Sequence, residues 1–269
     1  MERELLELQK KIYQQELHEN GFFIGDSSQL YFSSVGQFYD LYFYGDGYSD
    51  SMPFRMLLEF ISKQEYADRI VSMKFDGPDE GANGTKNWDF DLIADSNVMF
   101  PNLKQFIVQL SDYADHNCNI IGKDYEEDGM IAKLLVKMPT LMSLSIPSAP
   151  NKSFFDIASH PLKYLRLQAG YDNQNFIRNL AQSNNFQSLA SLDYSDFMDT
   201  NNATKDCYTS FEDFKMLFTS TAFSSVKRFI LRNSILNKEQ LFELQCLNNS
   251  LQFMYVDAKC GQYVSNMKK

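Results

Sequence analysis

One short pattern, apolar-x-x-apolar-x-apolar, recurs along this chain and constrains its fold more than any other feature. It is clear at Leu103-x-x-Phe106-x-Val108, Leu141-x-x-Leu144-x-Ile146, Leu162-x-x-Leu165-x-Leu167, Leu189-x-x-Leu192-x-Tyr194, Val226-x-x-Phe229-x-Leu231 and Leu251-x-x-Met254-x-Val256. Two weaker copies precede these, Phe38-x-x-Leu41-x-Phe43 and Ile70-x-x-Met73-x-Phe75. The first positions stand at 38, 70, 103, 141, 162, 189, 226 and 251, so the spacings are 32, 33, 38, 21, 27, 37 and 25 residues. Alternation at the end of each copy fits a strand with one buried face. A repeat of this length marks structural units that stack on one another.

The residues between copies have helical spacing in five segments, so each strand is expected to be followed by a helix. Met56, Leu57, Phe60 and Ile61 have helical spacing, as do Met130, Ile131, Leu134, Leu135 and Met138. Phe176, Ile177 and Leu180 form a third such segment, Phe214, Leu217 and Phe218 a fourth, and Leu241, Leu244 and Leu247 a fifth. Pro101, Pro139 and Pro161 stand just before strand positions, where they stop the preceding helix. A strand-helix unit of this kind cannot cover its own apolar face. Stacked neighbours cover it, with a parallel sheet on one side and helices on the other.

The copies, with their Pro-x-Leu-x-x-Leu-x-Leu cores at Pro101 and Pro139, resemble the leucine-rich repeat family, specifically its irregular bacterial type. The resemblance implies an α/β chain folded as an irregular leucine-rich-repeat solenoid, with a parallel β-sheet on the concave side and helices on the convex side. It implies an N-terminal helix and cap over residues 1–34, about eight strand-helix units over 35–258 and a C-terminal tail over 259–269. The Asn that follows the strand in this family has an equivalent only near Leu231, at Asn233, which favours a distorted horseshoe. An ordinary parallel α/β sheet with a shared leucine spacing is the competing arrangement.

Side chains alternate along a strand, so the residues between the apolar positions line the concave face. The expected partner-binding set is Tyr42, Tyr44, Lys74, Ile107, Tyr164, Arg166, Asp193, Arg228, Ile230, Arg232, Phe253 and Tyr255. Aromatic and arginine side chains of this kind supply contact area at interfaces. The face carries Asp40, Asp76, Asp193 and Asp257 against Lys74, Arg166, Arg228 and Arg232, so it is expected to be neutral. The loops that leave the strands are acidic, with Asp46, Asp50, Asp79, Glu80, Asp112, Asp115, Asp172, Asp196, Asp199 and Asp206 against Lys86 and Lys205.

Thirty-five Asp and Glu against 25 Lys and Arg leave a net charge of −10 over 269 residues. That balance disfavours nucleic acid and favours a basic protein partner. No run of apolar residues is long enough to span a bilayer, and Met1–Asn20 has charges throughout, so no membrane association and a cytoplasmic protein are expected. Cys118, Cys207, Cys246 and Cys260 form no Cys-x-x-Cys pair. Asp115-His116-Asn117-Cys118 and Asp89-Phe90-Asp91 bring catalytic or metal-binding residue types together, as does the acidic stretch Lys123–Gly129, whose oxygen ligands are misplaced for a calcium loop, and none of them defines a site. No cofactor, no metal and no enzyme activity are expected, and the oligomeric state is left open.

The functional expectation is a nonenzymatic interaction module within the cell. Its specific form is an immunity-type protein that neutralises a basic toxin. Alternatives are a host-directed effector or ubiquitin-pathway adaptor of leucine-rich-repeat type, and a carboxylate- or metal-dependent enzyme.

Overall fold

The computed structural model describes residues 1–19, 28–79, 84–112, 115–123, 127–196, 204–257 and 263–266. In chain order the strands are β1 (Gln29–Val35), β2 (Phe38–Tyr44), β3 (Ile70–Asp76), β4 (Gly84–Trp88), β5 (Gln105–Val108) and β6 (Asn117–Ile121), then β7 (Ser143–Ile146), β8 (Tyr164–Gln168), β9 (Ser191–Ser195), β10 (Arg228–Arg232), β11 (Gln252–Asp257) and β12 (Tyr263–Asn266). The helices are α1 (Glu2–Glu19), α2 (Met52–Ile61), α3 (Gln64–Ala67), α4 (Asp91–Ala94), α5 (Met130–Lys137), α6 (Phe176–Gln182), α7 (Phe211–Thr219) and α8 (Lys238–Leu247).

Ten strands form one sheet in the order β1-β2-β3-β5-β7-β8-β9-β10-β11-β12, while β4 and β6 pair in a second, parallel sheet. All neighbours from β2 to β11 are parallel. Antiparallel β1 and β12 flank them at the two ends. Those eight parallel strands are the eight copies of the sequence pattern, and each pairs with the next copy along the chain. The architecture is mixed α/β with a mostly parallel sheet, and it does not close into a barrel.

The apolar repeat positions build the core as cross-strand ladders. Leu41, Met73, Phe106, Leu144, Leu165, Leu192, Phe229 and Phe253 are successive partners in register, and all are buried. Each such side chain contributes about 1.5–3 kcal/mol by leaving water. The helices that pack on this face supply more aromatic rings. Phe54 of α2 stands 5.6 Å from Phe43, 6.0 Å from Phe75 and 5.7 Å from Trp88, centroid to centroid. Gly47 is needed at that junction, because a Cβ there would fall 2.4 Å from the Trp88 ring. At the N-terminal end Leu5, Leu8 and Ile12 bury one stripe of α1 against α2 and β1.

Three details depart from the repeat pattern. The eighth copy is one residue out of register: Phe253 pairs with Phe229 and Tyr255 with Leu231, so Phe253 and Tyr255 point to the helix side. Phe253 stacks on Phe229 at 5.5 Å and meets Phe218 edge-on at 5.2 Å, which buries more apolar surface than Met254 offers. The shortest unit, between β7 and β8, has only a 3₁₀ turn at Lys152–Phe155, anchored by buried Phe154 and Phe155. Past β11 the chain adds strand β12 to the sheet, where a tail was expected.

Candidate functional site

Helices cover one side of the sheet, and the residues between the ladder positions form its open face. Strand register arranges these residues in rows that cross the strands. The central row runs Tyr42, Lys74, Ile107, Ser145, Arg166, Asp193, Ile230 and Met254. A row nearer the strand starts holds Tyr164 and Arg228, aligned through Ser191, and a row nearer the strand ends holds Tyr44 beside Asp76 and Arg232 beside Ser195. Ten of the twelve expected contact residues are therefore on this face. Phe253 and Tyr255 are not. Phe253 is fully buried, and Tyr255 is partly buried with its hydroxyl donating to the Ser234 carbonyl at 3.1 Å.

Two clusters divide the face. At the N-terminal end Lys74 Nζ sits 4.6 Å from the centroid of the Tyr42 ring and 3.0 Å from Asp76 Oδ2. Tyr42 stacks in turn on exposed Tyr31 of β1 at 5.5 Å. Burial, and then the Asp76 carboxylate, hold the Tyr42 hydroxyl above its usual pKa. Tyr31 extends the face beyond the expected set. The alternation Leu30-Tyr31-Phe32 carries the signal for it, within the segment expected to form the N-terminal cap.

At the C-terminal end Asp193 binds two arginines. Arg232 donates to it from Nε at 2.6 Å and from a terminal nitrogen at 2.9 Å, and Arg166 Nε lies 3.7 Å away. The hydrogen bonds to Asp193 raise the Arg232 pKa still further, so that cation is fixed. Tyr164, Arg166 and Arg228 are exposed around this centre, whereas Ile230 is buried at 6 % exposure and offers little area. With Asp257 removed by the register shift, the face has three acids, Asp40, Asp76 and Asp193, against four bases. It carries one excess positive charge, not the neutrality expected.

The loops at the strand ends form an edge that is less acidic than the sequence suggests. Asp196 is fully buried; it accepts from the Thr209 amide and hydroxyl and from the Tyr194 hydroxyl, and so ties the base of its loop. Lys86 is also buried, donating to the Pro78 carbonyl at 2.9 Å with Asp46 at 3.4 Å. Gly77 makes room for it, since a Cβ there would come within 2.3 Å of Lys86 Nζ. Glu80 and Asp199 lie outside the described residues. Asp46, Asp50, Asp79, Asp112, Asp115, Asp172 and Asp206 remain at least partly exposed. The Asp115 carboxyl is held above the usual range, first by burial and also by Asp112, Asp79 and Asp76 nearby.

The strings with reactive residue types have structural partners. His116 Nδ1 lies 2.7 Å from Asp79 Oδ2, so its ring is engaged by that carboxylate. Asp89 accepts from the Asp91 amide at 3.0 Å, and Asp91 pairs with Lys123. Among the described residues no group of three or more His, Cys, Asp or Glu side chains could hold a metal ion. A polar cleft of about 880 Å³ opens between the loops that follow β8, β9 and β10. Its Arg178 is bound through two hydrogen bonds to Asp213, at 2.7 and 3.2 Å. No helix among the described residues is long and apolar enough to cross a membrane.

No protein-family model, no curated protein and no solved structure matches this chain.

Proposed function

We propose that this chain is a nonenzymatic protein-binding module of irregular leucine-rich-repeat type, holding a protein partner on the open face of its sheet. The single observation that carries this reading is the alignment of Tyr42, Lys74, Ile107, Arg166 and Asp193 in one row on a surface that carries no helix among the described residues. A row of this kind offers aromatic and arginine anchors on a rigid support, which is what a protein interface needs. Strand order that follows chain order supports the solenoid, because in a solenoid each unit pairs only with its neighbours.

The acidic loops flanking the face support a partner with a basic surface, since opposite charge speeds encounter and fixes orientation. The specific form of the reading is an immunity-type protein that covers a basic toxin. The test compares two variants that keep the core intact. A Tyr164→Ala, Arg166→Ala chain is expected to capture the partner from its native lysate at least about tenfold more weakly than the unaltered chain. A Phe242→Ala chain, altered on exposed α8, is expected to capture it normally. Equal capture by all three would reject the open face.

A further inference from the structure

We propose that the edge of the open face where the strands begin, from β5 to β11, takes an extended acidic segment of a protein partner. This deepens the docking reading above and rests on it.

The charge pattern at that edge runs against the composition of the chain. Lys104, Lys163 and Lys227 each stand at the same repeat position, one residue after the leading apolar residue of their copy. All three are exposed, as is Arg228 beside Lys227. The backbone amides of Lys163 and Lys227 donate to the carbonyls of Met142 and Ala190, which directly precede β7 and β9, so the three lysines stand just before β5, β8 and β10, alternate strands of the sheet. With strands about 4.8 Å apart, successive lysines are roughly 10 Å apart. The other positions along this edge, from Gln105 to Gln252, are uncharged. Among the described residues none of these four cations is in an ion pair, in contrast to Lys74, Arg166 and Arg232 of the open face itself.

A chain with a net charge of −10 thus presents six neighbouring strand starts with four free cations and no carboxylate. Extended chain advances about 3.3–3.6 Å per residue, so carboxylates three residues apart match the lysine spacing. Tyr164, 52 % exposed between the flanking cations, supplies an apolar surface for the stems of such a segment. The opposite edge is acidic. A partner with an acidic segment on one side and a basic surface on the other therefore binds in one orientation only.

The probe is a labelled peptide of Glu-Ser-Ser repeats, with a Gln-Ser-Ser peptide as its neutral control, titrated with the full chain at low and high salt. The expected result is saturable binding of the Glu peptide alone, weakened by salt and reduced at least about tenfold by Lys104→Glu, Lys163→Glu and Arg228→Glu together. Lys152→Glu with Lys238→Glu, away from the sheet, is expected to leave it unchanged. Absence of saturable binding, equal loss in both variants or tighter binding of a single-stranded oligonucleotide would overturn the proposal. The two readings fail separately. If the edge variant keeps its native partner while the Tyr164→Ala, Arg166→Ala chain loses it, the acidic segment is wrong and the open face stands.

Discussion

Glu127 divides its two carboxylate oxygens among three backbone amides: Oε1 accepts from Gly129 at 3.0 Å and Ile131 at 2.9 Å, and Oε2 from Asn151 at 2.9 Å. It joins the start of α5 to the turn after β7, although burial still holds its pKa above the usual carboxylate value. Glu127→Ala leaves two buried donors and one part-buried donor unmatched and is expected to cost about 2 kcal/mol or more in urea unfolding. Glu127→Gln is not expected to rescue it, because the new NH₂ group would face an amide N–H. His160 sets the behaviour in mild acid. It is buried, with Nε2 3.0 Å from the Met138 carbonyl and no partner at Nδ1 among the described residues. Burial lowers its pKa from the ordinary 6.5, so below that pH the unfolded chain binds the proton more readily than the folded one. The stability His160 contributes is therefore present above about pH 6.5 and lost as pH falls through its lowered folded value. Urea midpoints measured across this range should separate the parent from His160→Gln progressively at high pH. A constant difference would contradict the assignment.

At the scale of the element, the last parallel strand tests how register is chosen. In Gln252–Asp257 both alternations are apolar, Phe253 with Tyr255 and Met254 with Val256, so sequence periodicity alone does not pick the inward pair. The stack of Phe253 on Phe229 picks it. Phe253→Ala is expected to destabilise by about 3–5 kcal/mol and Met254→Ala by less than half of that, read from chemical denaturation. The reverse order would restore the register suggested by the leucine spacing. The other seven copies were legible because only one of their two alternations is strongly apolar, as in Leu165 and Leu167 against Tyr164 and Arg166. The five amphipathic segments were likewise legible as helices. The second sheet was not. Its strands Gly84–Trp88 and Asn117–Ile121 carry Lys86, Asn117 and Asn119 at buried positions, where period-2 hydrophobicity fails and side-chain hydrogen bonds take over. Of the site, the row positions followed from alternation. The pairings of Asp193 with Arg232 and of Lys86 with Asp46 depend on contacts between distant segments, and no single stretch of sequence contains them.

Over the whole molecule, charge is sorted along the strand direction. The helices that connect the parallel strands begin in the loops that leave the strand ends, where acids complement their dipoles. Asp213 at the start of α7 and Glu127 before α5 show this structural use. At the opposite edge the lysines before β5, β8 and β10 are exposed, and among the described residues none of them is in an ion pair. Both edges are exposed, and the attraction of either for a partner should weaken as the screening length shrinks with salt. The open face between them is the central claim, and photo-cross-linking tests it most directly. A photoreactive side chain placed at Ile107 on the central row, or at Tyr164 beside the lysines, should cross-link to the native partner, while one at Phe242 on α8 should not. Cross-links from Phe242 and none from the two sheet positions would contradict it.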